Sequence, residues 1–227
     1  MPLKIDLHVH TCYSTDAFTT LKEAVFYAKR QGLDGVAITD HNTIEGALRT
    51  KKRRTEDFVL IPGIEVSTTK GHMLGLNITE AIPEGLEPSE TAEIIRETGG
   101  IAVAAHPSML MKNSLRSHTL QKGIRLDAIE VVNSASLPFF LSTYLNRRIA
   151  MGLGLPQTGG SDSHIPETIG LAYTLIDADP DLEKIVRSIR KGLTKACGKP
   201  IPWRMRLDKI RRKKREFNIS RADISRD

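Results

Sequence analysis

Residues 4–10, KIDLHVH, keep a two-residue rhythm, with Ile5, Leu7 and Val9 on one side and Asp6, His8 and His10 on the other. That alternation marks a β-strand, whose successive side chains point to opposite faces. The apolar side belongs in a core. The other side sets two imidazoles beside a carboxylate, a set that sits in solvent or holds something. The rest of the chain decides which.

Seven more short apolar runs follow the first: GVAITD (35–40), FVLIPGIEV (58–66), GHMLGLNI (71–78), IAVAAH (101–106), AIEVVN (128–133), QTGGSD (157–162) and AYTLIDA (172–178). Helical patterns fall between most of them, at 19–32, 42–56, 87–100, 137–152 and 179–192. In the first, Leu21, Val25 and Ala28 share a face and Gly32 closes the helix. Nearly continuous apolar strands separated by helices imply a buried parallel sheet. About seven such units in some 200 residues favour a closed or distorted β/α barrel over an open sheet.

The chain has 227 residues, 40% hydrophobic and 26% charged, which suits a globular protein with a sizeable core. No apolar run nears the roughly 20 residues needed to span a bilayer. The sequence opens directly on a strand pattern, so no leader is expected. Cys12 and Cys197 lie far apart, without disulfide or zinc-ligand spacing. These features predict a cytoplasmic protein. The net charge of +6 is unevenly placed: residues 203–227 hold ten Lys/Arg against four Asp/Glu, so residues 1–202 are neutral. The expected division is a barrel over 1–202 and a basic tail over 203–227, leaving through the prolines of GKPIPW.

Six of the seven histidines, His8, His10, His41, His72, His106 and His164, lie at or beside the end of a strand-like run, and only His118 does not. In a β/α barrel the C-terminal strand ends meet at one mouth, where ligands collect. Asp6, Asp16, Asp40, Glu65 and Asp162 share those positions. Singly, each has an ordinary explanation: a helix-start Asp16, a capping turn at Asp40–Asn42, a hydrogen-bonded His72. Jointly, those explanations require six coincidences at one mouth. Imidazole with carboxylate suits zinc, iron or manganese. Nine candidate ligands exceed the needs of one tetrahedral zinc, so two or three divalent ions are expected, with Glu65 the best placed to bridge a pair.

In order, DLHVHTCYSTDAF (6–18), ITDHN (38–42), PGIEVS (62–67), GHMLGL (71–76), AAHP (104–107) and GSDSH (160–164) resemble the motif set of the PHP (polymerase and histidinol phosphatase) family, over Lys4 to about Ala178. The resemblance implies a distorted seven-stranded, TIM-like β/α barrel and a trinuclear metal-dependent phosphoesterase. Position by position, it places His8, His10, Glu65 and Asp162 on a first ion. Glu65, bridging, would hold a second with His72 and His106, and Asp16, His41 and His164 a third. Asp16 stands where some members carry histidine. No ligand position is missing, unlike in the degenerate, non-catalytic branches. The 23 residues between His106 and Glu130 leave no room for the long insertion of some nucleotide-cleaving members.

The implied chemistry is hydrolysis of a phosphate ester by a hydroxide shared between ions, with Glu65, Asp162, His164 and Asp40 as the catalytic set. Asp6 and Asp40 are expected to orient ligating histidines, and His164 or a metal-bound water to protonate the leaving group. Glu130 and Asn133 reach the same mouth, in a structural or a functional role. Arg116, Arg147 and Arg148 are the candidate phosphate contacts. The substrate is a nucleotide, an oligonucleotide end or a small phosphomonoester, with no membrane partner. Two alternatives stand: a histidinol-phosphate phosphatase, and a non-catalytic nucleic-acid-binding subunit. The tail is expected to bind polyanion, or to dock on the barrel through Trp203, Leu207, Ile210 and Phe217.

Overall fold

In the computed structural model KIDLHVH forms β1 (Leu3–Val9), and the chain continues as α1 (Leu21–Arg30), β2 (Gly35–Ile38), α2 (Glu45–Thr50), β3 (Val59–Thr68) and β4 (Gly71–Leu76). After these come α3 (Pro88–Glu97), β5 (Ile101–Ala104), β6 (Ala128–Asn133), α4 (Phe139–Leu153), β7 (Gln157–Gly160), β8 (Ala172–Ile176), α5 (Leu182–Arg190) and β9 (Thr194–Gly198). Residues 203–211 are helical. The structure describes residues 1–50, 57–107 and 123–211. Arg116, His118 and Phe217 lie outside them.

Local signals set the boundaries. Thr20 caps α1, its side chain accepting from the Glu23 amide while Glu23 accepts from the Thr20 amide, a reciprocal capping box. Asp181 caps α5 through the Lys184 amide. β9 has only the weak pattern TKACG, and it forms because each of its five residues pairs with β8.

Strand order is β7-β6-β5-β4-β3-β2-β1-β8-β9. β1, β2 and β3 run parallel, as do β5, β6 and β7. The expected all-parallel sheet is corrected at β4, which is antiparallel to both β3 and β5. Only Thr69 and Lys70 separate β3 from β4, too few for a parallel crossover. Beyond β7, the Asp162 amide donates to the His8 carbonyl at 2.9 Å and the His10 amide to the Ser163 carbonyl at 3.0 Å. Strands β1 to β7 thus form a nearly closed barrel, the distorted α/β barrel expected. β8 and β9 are an antiparallel addition on the opening half of β1, where Leu3–Ile5 pair with Thr174–Ile176.

Apolar helix faces close on this sheet. Leu21, Ala24 and Ala28 of α1 pack with Val9, Val36 and Ile38. Ile185, Val186 and Ile189 of α5 pack with Ile5, Leu7 and Ile61. Each large aliphatic side chain so buried contributes roughly 1.5–3 kcal/mol. None of the predicted ligands belongs to these clusters, so the scaffold does not depend on the mouth for its core.

Candidate metal centre

The ends of β1, β2, β5 and β7 deliver His8 and His10, His41, His106, and Asp162 with His164 to one place. β3 delivers Glu65, and the reversed β4 brings His72, opposite Ser67, to the same mouth at its start. All nine predicted ligands meet here.

Glu65 is the hub. Its Oε1 lies 2.9 Å from His72 Nδ1 and 3.2 Å from His106 Nε2. Its Oε2 lies 3.2 Å from His8 Nε2, 3.2 Å from His10 Nε2 and 3.1 Å from His41 Nδ1. Asp162 Oδ1 adds a second carboxylate oxygen, 3.2 Å from His10 Nε2 and 3.6 Å from His8 Nε2. Around the rim, His164 Nε2 is 2.9 Å from Asp16 Oδ2, and His41 Nε2 is 3.9 Å from Asp16 Oδ1. Three overlapping groups have ligand atoms mutually within 4.8 Å: His8, His10 and Asp162; His41, Glu65 and His72; and His10, His41 and His164.

Two observations test whether these residues suit metal ions. Glu65 Oε2 is buried and takes no well-directed hydrogen bond although three imidazoles surround it. Secondly, His8 Nδ1 is 2.9 Å from Glu130 Oε1 and His10 Nδ1 is 3.3 Å from Ser14 Oγ, while the two Nε2 atoms face each other at 3.1 Å. A carboxylate at Nδ1 fixes the proton there and turns the Nε2 lone pair toward the centre. Imidazole nitrogens and carboxylate oxygens converging on shared points, with Glu65 Oε2 left without a hydrogen bond, fit divalent cations.

The electrostatics of the metal-free cluster agree. Burial pushes His8 down, but the carboxylates of Glu130, Glu65 and Asp162 outweigh it and hold the imidazolium well above the ordinary range. His10, also depressed by burial, is raised to about 9 by Asp162 and Glu65. Burial would raise Glu65 and Asp162, yet the facing imidazoles, His8 foremost, hold both well below the usual carboxylate range. His41 is pushed down to about 4, chiefly by burial. Buried carboxylates demand compensating positive charge, and protons on the imidazoles supply it where cations would.

The backbone is bent to make this geometry. Asp162 and His106 have φ of 54° and 31°, a region that non-glycine residues rarely adopt and that gathers at functional sites. Gly160 approaches His8 so closely that a Cβ would lie 2.8 Å from the His8 nitrogen and 3.0 Å from Glu130 Oε1. Only glycine fits there.

Some expectations need correction. Asp6 orients no imidazole: buried, it accepts from the amides of His8 at 3.2 Å, Ser161 at 2.9 Å and Gly170 at 2.8 Å, clasping β1 to the chain beyond β7. Asp40 holds the Thr11 amide at 2.6 Å and the Thr11 and Ser14 hydroxyls at 2.8 and 3.1 Å, and it reaches His10 through Ser14. The carboxylate that does orient a predicted ligand's ring is Glu130, at His8 Nδ1. An acid in the otherwise apolar AIEVV run was the signal for it. Arg147 lines a groove with Gln157 and Thr194, at the opening ends of β7 and β9 and so away from the mouth, and Arg148 is exposed on the same helix. Their helix, α4, carries both away from the cluster.

The described start of the tail docks, but not by its apolar stripe. Trp203, Leu207 and Ile210 are 69%, 51% and 53% exposed. Contact runs through Arg206, whose guanidinium donates to the carbonyls of Ser134 and Ala135, and Lys209, whose Nζ is 3.8 Å from Asp16 Oδ2. A stripe reading favours apolar positions and passes over both.

A PHP-associated family model matches residues 144–194. An uncharacterized protein of Methanocaldococcus jannaschii is 40% identical over 143 residues, spanning 58% of this chain and 82% of that protein. The chain belongs to the PHP family. Among solved structures, a two-domain protein from Bacteroides vulgatus, containing a predicted PHP-like metal-dependent phosphoesterase, superposes with TM-score 0.71 at 19% identity, over 88% of this chain. Endonuclease Q of Pyrococcus furiosus superposes with TM-score 0.63 at 20% identity, over 86% of this chain. The chain spans 65% of the first structure's length and 58% of the second's. Both likenesses concern the fold.

Proposed function

We propose that this PHP protein is a metal-dependent hydrolase of phosphate esters. The observation that carries this reading is a buried carboxylate, Glu65, with five imidazole nitrogens within 3.2 Å of its two oxygens. His8, His10, Glu65 and Asp162 would hold one ion, Glu65, His72 and His106 a second, and Asp16, His41 and His164 a third. Bound there, divalent ions supply Lewis acidity: they neutralise phosphoryl charge and acidify water toward neutral pH. Phosphoryl transfer calls mainly for positioning and charge stabilisation, and the chain's own residues provide both. Glu130 and Ser14 fix two imidazole rings. Asp40 holds the Thr11–Ser14 turn that carries Ser14. His164, beside Asp16 at the rim and on the lining of a cavity next to the centre, is placed to meet a leaving group.

The basic tail and the endonuclease Q likeness favour a nucleic-acid or nucleotide phosphate over histidinol phosphate. The complete ligand set disfavours a binding-only role. Chelated protein is expected to release neither phosphate from nucleotides, sugar phosphates and histidinol phosphate nor mononucleotides from short RNAs, and to regain release with Mn or Zn. A panel silent under every metal would overturn the reading.

A further inference from the structure

Residues 203–211 lie across the mouth. Arg206 pins them: its Nη1 donates to Ala135 O at 3.0 Å, its Nη2 to Ser134 O at 3.1 Å and its Nε to Ile201 O at 3.2 Å. Beneath the helix is a cavity of about 460 Å³, within the size range of small-molecule sites. Asp162 and His164 of the metal centre form part of its lining. Most of the rest is apolar, with Leu137 and Ile165 from the barrel and Trp203 and Ile210 from the helix. Lys209 and Arg206 are the cations on its border. A phosphate dianion brought up to Asp16 and Asp162 meets carboxylates, and Lys209, already facing Asp16, is placed to offset them. The other part of such an ester would lie against apolar walls. There a polyol would lose water from its hydroxyls without regaining hydrogen bonds. A flat or apolar group loses nothing by the same move.

We infer that residues 203–211 are a wall of the substrate site, and that the cavity selects phosphate monoesters with a flat or apolar leaving group, Trp203 forming its face and Lys209 meeting the phosphate. This rests on the phosphoesterase reading, and the test separates the two. Trp203 is the one tryptophan of the chain, so its fluorescence reports on the cavity without turnover. In the zinc-loaded full chain, phenylphosphonate, which has no ester bond to the phenyl group, should change that emission saturably, while hydroxyethylphosphonate at the same concentrations should not. In steady state, Trp203→Ala should cut the kcat/KM preference for phenyl phosphate or adenosine 5′-monophosphate over glycerol 2-phosphate about tenfold. Phe140→Ala, an exposed aromatic outside the cavity lining, should leave that preference alone. Comparing the phenyl and adenosine esters tells an aryl site from a nucleoside site. Unmoved emission, or a preference unaltered by Trp203→Ala, overturns the inference even if all esters are hydrolysed. If no ester is hydrolysed but phenylphosphonate alone moves the emission, the wall stands and the phosphoesterase reading falls.

Discussion

Two carboxylates at this mouth show how burial and partners set a residue's charge. Asp162 is buried against imidazoles and stays ionised, whereas Asp6, buried among backbone amides, is raised by burial to about 6. A carboxyl whose folded pKa exceeds its unfolded value stabilises the fold fully below the unfolded value, near 4, and loses that contribution as pH rises through the folded one. Two units correspond to roughly 3 kcal/mol. Asp6→Asn cannot titrate. The stability difference between wild type and Asp6→Asn should therefore move by about that amount in favour of the asparagine between pH 4 and pH 7, whatever the asparagine costs by facing the Gly170 amide. Urea unfolding of both proteins in chelator measures it, and a pH-independent difference would contradict the assignment. The role of Asp6 was not legible in the sequence, because an acid near a histidine in the chain can as well bind an amide as an imidazole; Glu130 stood out in AIEVV, but its partner His8 lies 122 residues away in the chain.

Among the elements, the eight strand patterns and most of the helices were legible because each carries its own period. β9 was not, since it takes its conformation from pairing with β8, and the direction of β4 was hidden in a turn length. That turn matters to the site: a parallel β4 would start at the far end of the barrel and carry His72 away from Glu65. β7 contributes through an absence of side chain, Gly160 making room for His8. Gly160→Ala should displace the β1 strand end, lower metal content by at least one ion per chain and cut phosphate release at least tenfold, while the far-ultraviolet circular dichroism stays close to wild type. Unaltered metal content would show that the close approach is not needed.

Across the whole molecule, a neutral barrel carries its basicity in one terminal segment. Residues 212–227, outside the described structure, hold six Lys/Arg against three Asp/Glu. If they contact nucleic-acid phosphate, log affinity falls linearly with log salt, by about 0.7–0.9 per contact. Truncation after Arg211 should flatten that slope for an oligonucleotide while keeping the docked helix. An unchanged slope would remove the tail from the interface. The barrel account depends most on Glu65, which was legible as the bridging candidate because it stands alone as an acid in the apolar run FVLIPGIEV. If it serves two ions, Glu65→Ala must lose more than any one histidine does. Elemental analysis of metal-loaded wild type, Glu65→Ala, His72→Ala and His106→Ala tests this directly. The account predicts two to three ions per chain in wild type, with a larger loss in Glu65→Ala than in either histidine variant; metal content in Glu65→Ala equal to wild type would contradict it.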